Sequence, residues 1–340
     1  MKMKKLTAML LAGVLAAGML AGCGSSNDNS KDAAKDTGSA TTSAKANTGS
    51  GSGEAAEEEE NYNTGDASKD NPRNQDNIGE NELLVLSFGT SFNDSRRLTI
   101  GAIEDQLEKS FPDYSVRRGF TANIVIDHVA KRDGEKIDDI DASLKRAVDN
   151  GVKNLVVQPT HLMNGLEYND LKDELAGYSD SFEKIVLGQP LLTSDDDFQK
   201  VMNAIVDATK EYDDGETAIC FMGHGTEAES NQVYTKMQET LKAAGHDNYF
   251  VGTVEATPSL DDVIAAVKAG GYKKVVLRPV MIVAGDHANN DMAGDEDGSW
   301  KTEFEKAGFE VTTVVEGLGS VQAIQDLFVA HAQAAIDSLK

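Results

Sequence analysis

The sequence predicts an α/β fold made of two similar halves, each a four-stranded parallel sheet flanked by helices. The run from Leu83 to Leu86 is apolar without a break, as in a strand that is buried on both faces. Ile100, Ile103, Leu107 and Phe111 follow at spacings of three and four, which is typical of one face of a helix. Strands are predicted at 83–88, 114–120, 153–158, 184–188, 217–222, 249–254, 273–278 and 309–314. Because helical patterns separate these strands, parallel sheets covered on both faces are expected.

An internal repeat supports the division into two halves. Residues 151–159 (GVKNLVVQP) recur 120 positions later as residues 271–279 (GYKKVVLRP). The match continues without a gap through Gly165 and Gly285, so the order of strand, glycine turn and helix is shared. This pattern indicates an ancient duplication.

The first 22 residues have the pattern of an export signal. Three lysines precede an apolar run from Leu6 to Leu20, which matches a signal core in length and is too short to span a bilayer. Small residues then precede Cys23, as at a bacterial lipoprotein processing site. We therefore expect Cys23 to be the lipidated mature N-terminus of an extracytoplasmic protein anchored to the cell membrane. An ordinary secretory signal with a chance cysteine is the alternative.

Composition separates the rest of the chain into a polar segment and a folded part. Residues 23–81 are rich in Ser, Asn, Asp, Gly, Ala, Thr and Glu and predict a disordered tether, because they offer little apolar surface to bury. Residues 82–205 are assigned to the N-terminal half and residues 206–340 to the C-terminal half. Cys220 lies in an apolar run and is predicted to be a buried, unreactive core residue.

The net charge of −25 excludes some partners. A strongly acidic chain does not favour nucleic acid, nor electrostatic docking to anionic lipid, so contact with the membrane is expected through the lipid alone. The charge is compatible with a cation-binding site. The sequence contains no Walker phosphate loop, no nucleophile elbow and no Cys-x-x-Cys pair. Their absence argues against nucleotide binding, serine hydrolase activity and a structural zinc site.

Three side chains follow strand ends in the second half. His224 comes after the strand at 217–222, Glu255 after the strand at 249–254, and His287 after the strand at 273–278 and its apolar extension. The carboxyl ends of parallel strands meet at one edge of a sheet, where ligands bind. Two imidazoles and one carboxylate suit cobalt, iron, nickel or zinc, and three protein ligands leave positions open for substrate.

Each of these residues also has a simpler interpretation. A histidine between glycines is commonly polar surface, and Asp286 with His287 could be a helix cap followed by a solvated residue. The first half carries Phe88 at the position of His224 and Glu167 at the position of His287, so the predicted site is not duplicated. His161 is expected to be a core or pocket-lining residue.

Several segments resemble the sirohydrochlorin cobaltochelatases of anaerobic cobalamin synthesis, a family within the class II chelatases. The resemblance spans about residues 82–335 and is most specific at FMGHG (221–225) and VAGDHANNDMA (283–293). Further matching segments are 84–91, 119–121, 164–168, 187–192 and 298–301.

The resemblance implies a chelatase-like fold with its active site in a cleft between the halves. It implies that His224, Glu255 and His287 hold the metal, that His224 accepts a proton, and that Co²⁺ enters sirohydrochlorin. Glu255 would balance charge and also receive protons. Because sirohydrochlorin carries eight carboxylates, backbone amides near helix N-termini are candidate donors. The substrate-binding candidates are Phe88, Gly89, Thr90, Ser91, Gly225 and Thr226, with Arg118 and Arg278 as weaker ones.

Two features depart from the family pattern. Cobalamin synthesis is normally cytoplasmic, whereas this chain begins with a lipoprotein signal, and the loop after Glu255 (Ala256, Thr257, Pro258) varies slightly. Exported members of the family are associated with iron or haem handling. The alternatives are therefore an exported Fe²⁺ or Ni²⁺ chelatase, or a non-catalytic metal- or haem-binding lipoprotein. The sequence leaves open whether the chain forms a homo-oligomer.

Overall fold

Eight strands form two parallel sheets within residues 64–340, the part of the chain that the computed structural model describes. The strands of the first half are β1 (Asn81–Ser87), β2 (Ser115–Phe120), β3 (Asn154–Pro159) and β4 (Lys184–Leu187), in the spatial order β2-β1-β3-β4. The strands of the second half are β5 (Thr217–Gly223), β6 (Tyr249–Thr253), β7 (Lys274–Pro279) and β8 (Glu310–Thr313), in the order β6-β5-β7-β8. The predicted fold class is confirmed, and each predicted strand lies within two residues of an observed one.

Helices cover both faces of the two sheets. The α-helices of the described residues are α1 (Asn93–Arg96), α2 (Ala102–Ser110), α3 (Asn123–Asp133), α4 (Ile140–Asp149), α5 (Leu166–Ala176), α6 (Asp195–Asp207), α7 (Gln232–Ala243), α8 (Leu260–Gly270), α9 (Trp300–Lys306) and α10 (Gln322–Ser338). Two π-helical turns, Arg97–Gly101 and Ala288–Met292, follow β1 and β7. Short 3₁₀ turns lie at Ala67–Lys69, Ser179–Ser181, Glu229–Asn231 and Leu318–Ser320.

The internal repeat occupies equivalent places in the two sheets. β3 and β7 each pair with the first strand of their half, and their bounds are 120 positions apart. Gly151 and Gly271, which precede these strands, both have positive φ (72° and 80°), a conformation that favours glycine. The repeat therefore encodes the same turn and the same strand twice.

Alternate residues of the central strands enter different cores. Ile219 and Phe221 face a core shared by the two halves, whereas Ala218, Cys220 and Met222 face helices of the second half. This burial on both faces explains the unbroken apolar runs in the sequence. Cys220 is buried, and burial raises the pKa of its thiol well above the ordinary value, as expected for an unreactive core cysteine.

The last helix crosses between the halves. α10 packs against α2, β3 and β4 of the first half, and Ile324, Leu327 and Phe328 enter the shared core. The assignment of all residues from 206 to 340 to the C-terminal half is therefore wrong for α10. Its apolar stripe is satisfied by the sheet of the other half, which a helical pattern alone does not reveal.

An ordered segment precedes β1. Residues 64–80, which we name the strap, lie on the first half, so their interpretation as part of a disordered tether is wrong. Within it, Asp70 receives hydrogen bonds from two buried arginines, Arg118 (2.6 Å) and Arg96 (2.7 Å). Arg118 also pairs with buried Glu104 at 2.6 Å. Residues 1–63, including the predicted signal, Cys23 and most of the tether, lie outside the described residues.

Replacement of Asp70 tests the importance of the strap for stability. Asp70→Ala should lower the free energy of unfolding by about 3–5 kcal/mol, because it leaves two buried guanidinium groups short of a carboxylate. Urea denaturation measures the change. Glu80→Gln removes an exposed ion pair with Lys153 and serves as the control, with an expected loss of about 0–1 kcal/mol. A loss of no more than about 1 kcal/mol in Asp70→Ala as well would contradict a structural role for the buried ion pairs of the strap.

Candidate metal centre

The structure brings the three predicted metal ligands together at one edge of the second sheet. One ligand atom from each of His224, Glu255 and His287 lies within 4.8 Å of the others. Nε2 of His224 is 3.9 Å from Oε1 of Glu255, and the two imidazole centroids are 4.6 Å apart. Two atoms that bind one ion at about 2.1 Å are themselves about 3–4 Å apart, so small side-chain rotations suffice to close the cluster.

Backbone pairing places Glu255 beside His224. Beyond the last residues of β5 and β6, the amide of Glu255 donates to the carbonyl of His224 (2.9 Å), and that of Val254 donates to Gly223 (3.0 Å). Gly225 has φ 88°, and a methyl group there would lie 2.9 Å from Cβ of Thr253. Only glycine therefore fits this close approach of the two loops.

The Nδ1 atoms of both imidazoles have acceptors. Nδ1 of His224 lies 2.8 Å from the carbonyl oxygen of Gly225, and Nδ1 of His287 lies 2.6 Å from Oδ2 of Asp291. Since a carbonyl or carboxylate oxygen only accepts, both Nδ1 atoms carry the proton and both Nε2 atoms keep a lone pair for a metal. The hydrogen bond to Asp291 raises the pKa of His287; partial burial opposes this, and nearby carboxylates reinforce it.

The cluster is open to solvent. The side chains of His224, Glu255 and His287 are 47%, 55% and 34% exposed. Closed structural sites bury four protein ligands, whereas a site with three accessible ligands keeps coordination positions for water or substrate. The arrangement therefore suits an ion that must be released to another molecule.

Loops of the first half lie against the loops that carry the ligands. The amide of Ala284 donates to Oγ of Ser95 (2.9 Å), and a methyl group at Gly285 would lie 3.0 Å from Oγ1 of Thr90. In a second contact between the halves, a methyl group at Gly165 would lie 3.7 Å from Oγ of Ser230. The metal cluster is thus bordered by the carboxyl edge of both sheets, as expected for a site in a cleft.

The predicted substrate-binding residues differ in the exposure of their side chains and in the hydrogen bonds of their amides. Phe88 is 49% exposed directly after β1, so its ring is accessible to a ligand. The side chains of Thr90 and Ser91 are buried. The amide of Gly225 donates to the Tyr234 hydroxyl (3.4 Å) and that of Thr226 to Oδ1 of Asn231 (3.0 Å). Both of the last two amides therefore have internal acceptors, and their binding to substrate carboxylates stays a prediction.

Gly89 shapes the loop that presents Phe88. It has φ 102°, and a methyl group at this position would lie 2.5 Å from the ring of Phe120. The equivalent glycine of the second half is Gly225, so each half uses the same turn after its first strand. In one half that turn presents a phenyl ring, and in the other it presents the imidazole of His224.

The weaker candidates lie apart from the cluster. Arg118 is buried in its ion pairs with Asp70 and Glu104, and Arg278 is buried and donates to the carbonyl of Ala208 (3.0 Å), so neither guanidinium reaches a substrate. Burial lowers the pKa of His161 to about 4, so its ring is neutral.

Asp291 is the site residue that sequence reasoning missed. It follows His287 by four residues, a spacing that places two side chains on the same face of a helical turn. The spacing of four residues in the sequence could have indicated this contact. The interpretation of Asp286 and His287 as a helix cap does not predict it, because a cap involves no hydrogen bond from His287 to a residue four positions later.

Comparisons with known proteins show which family the chain belongs to. Residues 81–337 match the family model of cobalt chelatase (CbiK). The sirohydrochlorin cobaltochelatase of Salmonella typhimurium is 36% identical over 255 residues, which cover 75% of this chain and 96% of the relative. Sirohydrochlorin cobaltochelatase CbiKC of Nitratidesulfovibrio vulgaris is 27% identical over 259 residues, covering 76% of this chain and 91% of the relative.

Solved structures show the same fold at low identity. SirB from Bacillus subtilis with Fe³⁺ has a TM-score of 0.51 at 13% identity, and the match covers 76% of this chain and 97% of that one. The sirohydrochlorin chelatase SirB in complex with cobalt, from Bacillus subtilis subspecies spizizenii, has a TM-score of 0.52 at 12% identity and the same coverage. The fold and the family match together define an enzyme of the metal chelatase class. The chain belongs to the cobalt chelatase (CbiK) family.

Direct titration with Co²⁺ tests the cluster. Alanine at His224, Glu255 or His287 should weaken Co²⁺ binding at least tenfold, because each removes one of three ligands. Isothermal titration calorimetry measures the dissociation constant. Glu167→Ala is the matched control, because Glu167 holds the position of His287 in the first half and lies outside the cluster. Unchanged binding in all three variants would rule out this cluster as the cobalt site.

Proposed function

We propose that the chain is a sirohydrochlorin cobaltochelatase that inserts Co²⁺ into its substrate. The observation that carries this proposal is the convergence of His224, Glu255 and His287 at the carboxyl edge of the second sheet. The two relatives named as sirohydrochlorin cobaltochelatases support the choice of substrate, since each matches this chain over nearly all of its own length.

The donor set suits the proposed ion. Imidazole nitrogen and carboxylate oxygen bind Co²⁺ well, and they also bind Fe²⁺ and Ni²⁺. Nε2 is the free nitrogen of each histidine, and the carboxylate of Glu255 supplies one negative charge. Cobalt is therefore preferred on the ground of family membership, and the ligands themselves allow the two other metals.

The same side chains supply a route for protons. Insertion requires two pyrrole N–H protons to leave as the metal enters the ring. When the ion moves from His224 to the macrocycle, Nε2 becomes free and takes one proton, and Glu255 takes the other. Imidazole is a common general base near neutral pH, and Nδ1 stays protonated against the Gly225 carbonyl during the exchange. The protein thus loses a divalent cation and gains two protons, which conserves charge.

Exposed apolar side chains border the proposed substrate site. Phe88, Ile124 and Leu166 follow the carboxyl ends of β1, β2 and β3, and Val315 follows that of β8. Large apolar residues exposed at one edge of the sheets favour contact with a flat, partly apolar ligand. A tetrapyrrole ring has this character, which supports the proposal.

An insertion assay tests the function. Purified chain at substoichiometric concentration should convert sirohydrochlorin and Co²⁺ to the cobalt complex over many turnovers, followed by visible absorption. His224→Ala should lower kcat/KM by at least about 100-fold, because it removes a ligand and a general base together. Circular dichroism should show an unchanged fold, since His224 is half exposed.

Parallel reactions with Fe²⁺ and Ni²⁺ separate the alternatives. Faster insertion of Fe²⁺ or Ni²⁺ than of Co²⁺ would replace cobalt as the proposed substrate. Absorption that changes only up to one equivalent of protein would instead indicate a non-catalytic metal- or haem-binding lipoprotein.

We further propose that the enzyme is held at the outer side of the cell membrane by lipid on Cys23. The support is the pattern of a basic start, an apolar core and small residues before this cysteine. Among residues 64–340, none of the helices has the length and hydropathy to cross a membrane. A lipid anchor accounts for membrane attachment without a spanning helix.

Replacement of Cys23 tests the anchor. Cys23→Ser should abolish labelling by radioactive palmitate in cells and release the protein from the membrane fraction, because the thiol is the proposed attachment point. Cys220→Ser is the control and should keep both properties, since that cysteine is buried. Full palmitate incorporation in Cys23→Ser would disprove the assignment.

A further inference from the structure

Asp291, which is not one of the three candidate metal ligands, contacts one of them directly. Oδ2 of Asp291 lies 2.6 Å from Nδ1 of His287 and is its acceptor. The two residues lie on one helical turn, with Asp291 in the π-helical stretch Ala288–Met292. Such π turns are frequent at functional sites.

The turn that carries Asp291 is fixed by its own contacts. Nδ2 of Asn289 donates to the carbonyl of Gly285 (2.7 Å), and Nδ2 of Asn290 donates to Oδ1 of Asp286 (2.6 Å). Met292 is fully buried in the core of the second half. The carboxylate of Asp291 is therefore presented by a braced backbone, and the imidazole of His287 is oriented against it.

The two histidines have different acceptors. His224 donates to the neutral carbonyl of its neighbour Gly225, whereas His287 donates to the charged carboxylate of Asp291. A carboxylate acceptor fixes the ring and makes the opposite nitrogen a stronger donor to a metal than a carbonyl acceptor does. The two imidazoles thus differ in the strength with which they can donate to a metal, and their sequence motifs do not show this difference.

We propose that Asp291 is a positioning residue that makes His287 the anchoring ligand of the ion. His224, with a neutral acceptor, is the ligand that releases the metal first. This inference rests on the proposed function for its catalytic meaning, although its effect on metal affinity can be measured without turnover. The division of roles keeps the ion bound while Nε2 of His224 becomes free.

The test compares Co²⁺ binding by Asp291→Ala and Asp291→Asn with binding by the unaltered chain. Asp291→Ala should weaken binding about 10- to 100-fold, the usual effect of losing a carboxylate behind a ligating histidine. Asp291→Asn keeps a neutral acceptor and should fall between the two. Titration followed by the visible d–d bands of Co²⁺ gives the dissociation constants and shows any change in ligand field.

Asp286→Asn is the matched control. It removes the same charge next to His287, yet leaves the hydrogen bond between His287 and Asp291 in place. We expect less than a threefold change in Co²⁺ affinity. An equal loss in Asp286→Asn and Asp291→Ala would show a general charge effect and overturn the proposal.

Steady-state kinetics and stoichiometry complete the test. Asp291→Ala should raise the KM for Co²⁺ about 10- to 100-fold and leave the KM for sirohydrochlorin within about twofold. If Co²⁺ still binds to His224→Ala/Glu255→Ala at one equivalent, then Asp286, His287 and Asp291 form a site of their own, and the positioning role is refuted. Failure of insertion by the unaltered chain would contradict the proposed function alone, because the comparison of dissociation constants would still stand.

Discussion

The parallel pairing of β5 with its two neighbours is the constraint on which the candidate metal centre depends. His224 and Glu255 lie side by side because the hydrogen bonds between β5 and β6 continue into their loops. The pairing of β5 with β7 continues in the same way, from the amide of Val280 to the carbonyl of Met222 at 2.8 Å. Three ligands that are distant in sequence therefore share one edge without any covalent link between their segments.

The sequence predicts those features that a local pattern determines. The central strands β1, β3, β5 and β7 are predictable because each carries a continuous apolar run. The candidate ligands are predictable because the carboxyl ends of parallel strands converge. The strap was missed because its composition is polar, and its role depends on Asp70 meeting Arg118, which lies 48 residues further along the chain. The placement of α10 was missed because an amphipathic helix does not specify which sheet it covers.

The two halves share a scaffold but carry different side chains at equivalent positions. The two sheets share strand order and the glycine turn after the first strand, with φ 102° at Gly89 and 88° at Gly225. The side chain before each glycine differs: an exposed phenyl ring in one half and an imidazole in the other. One half thus offers apolar surface, while the other carries the three candidate metal ligands at the corresponding edge of its sheet.

The path of the chain also limits how the cleft can open. The strap and α10 both lie on the first half, so the second half is enclosed in sequence between two segments of its neighbour. The chain passes from one half to the other between β4 and β5, and again between β8 and α10. A rotation of the halves would have to bend the backbone at both crossings and also disturb the core that the two halves share. The relative position of the halves is therefore fixed by packing as well as by the path of the chain.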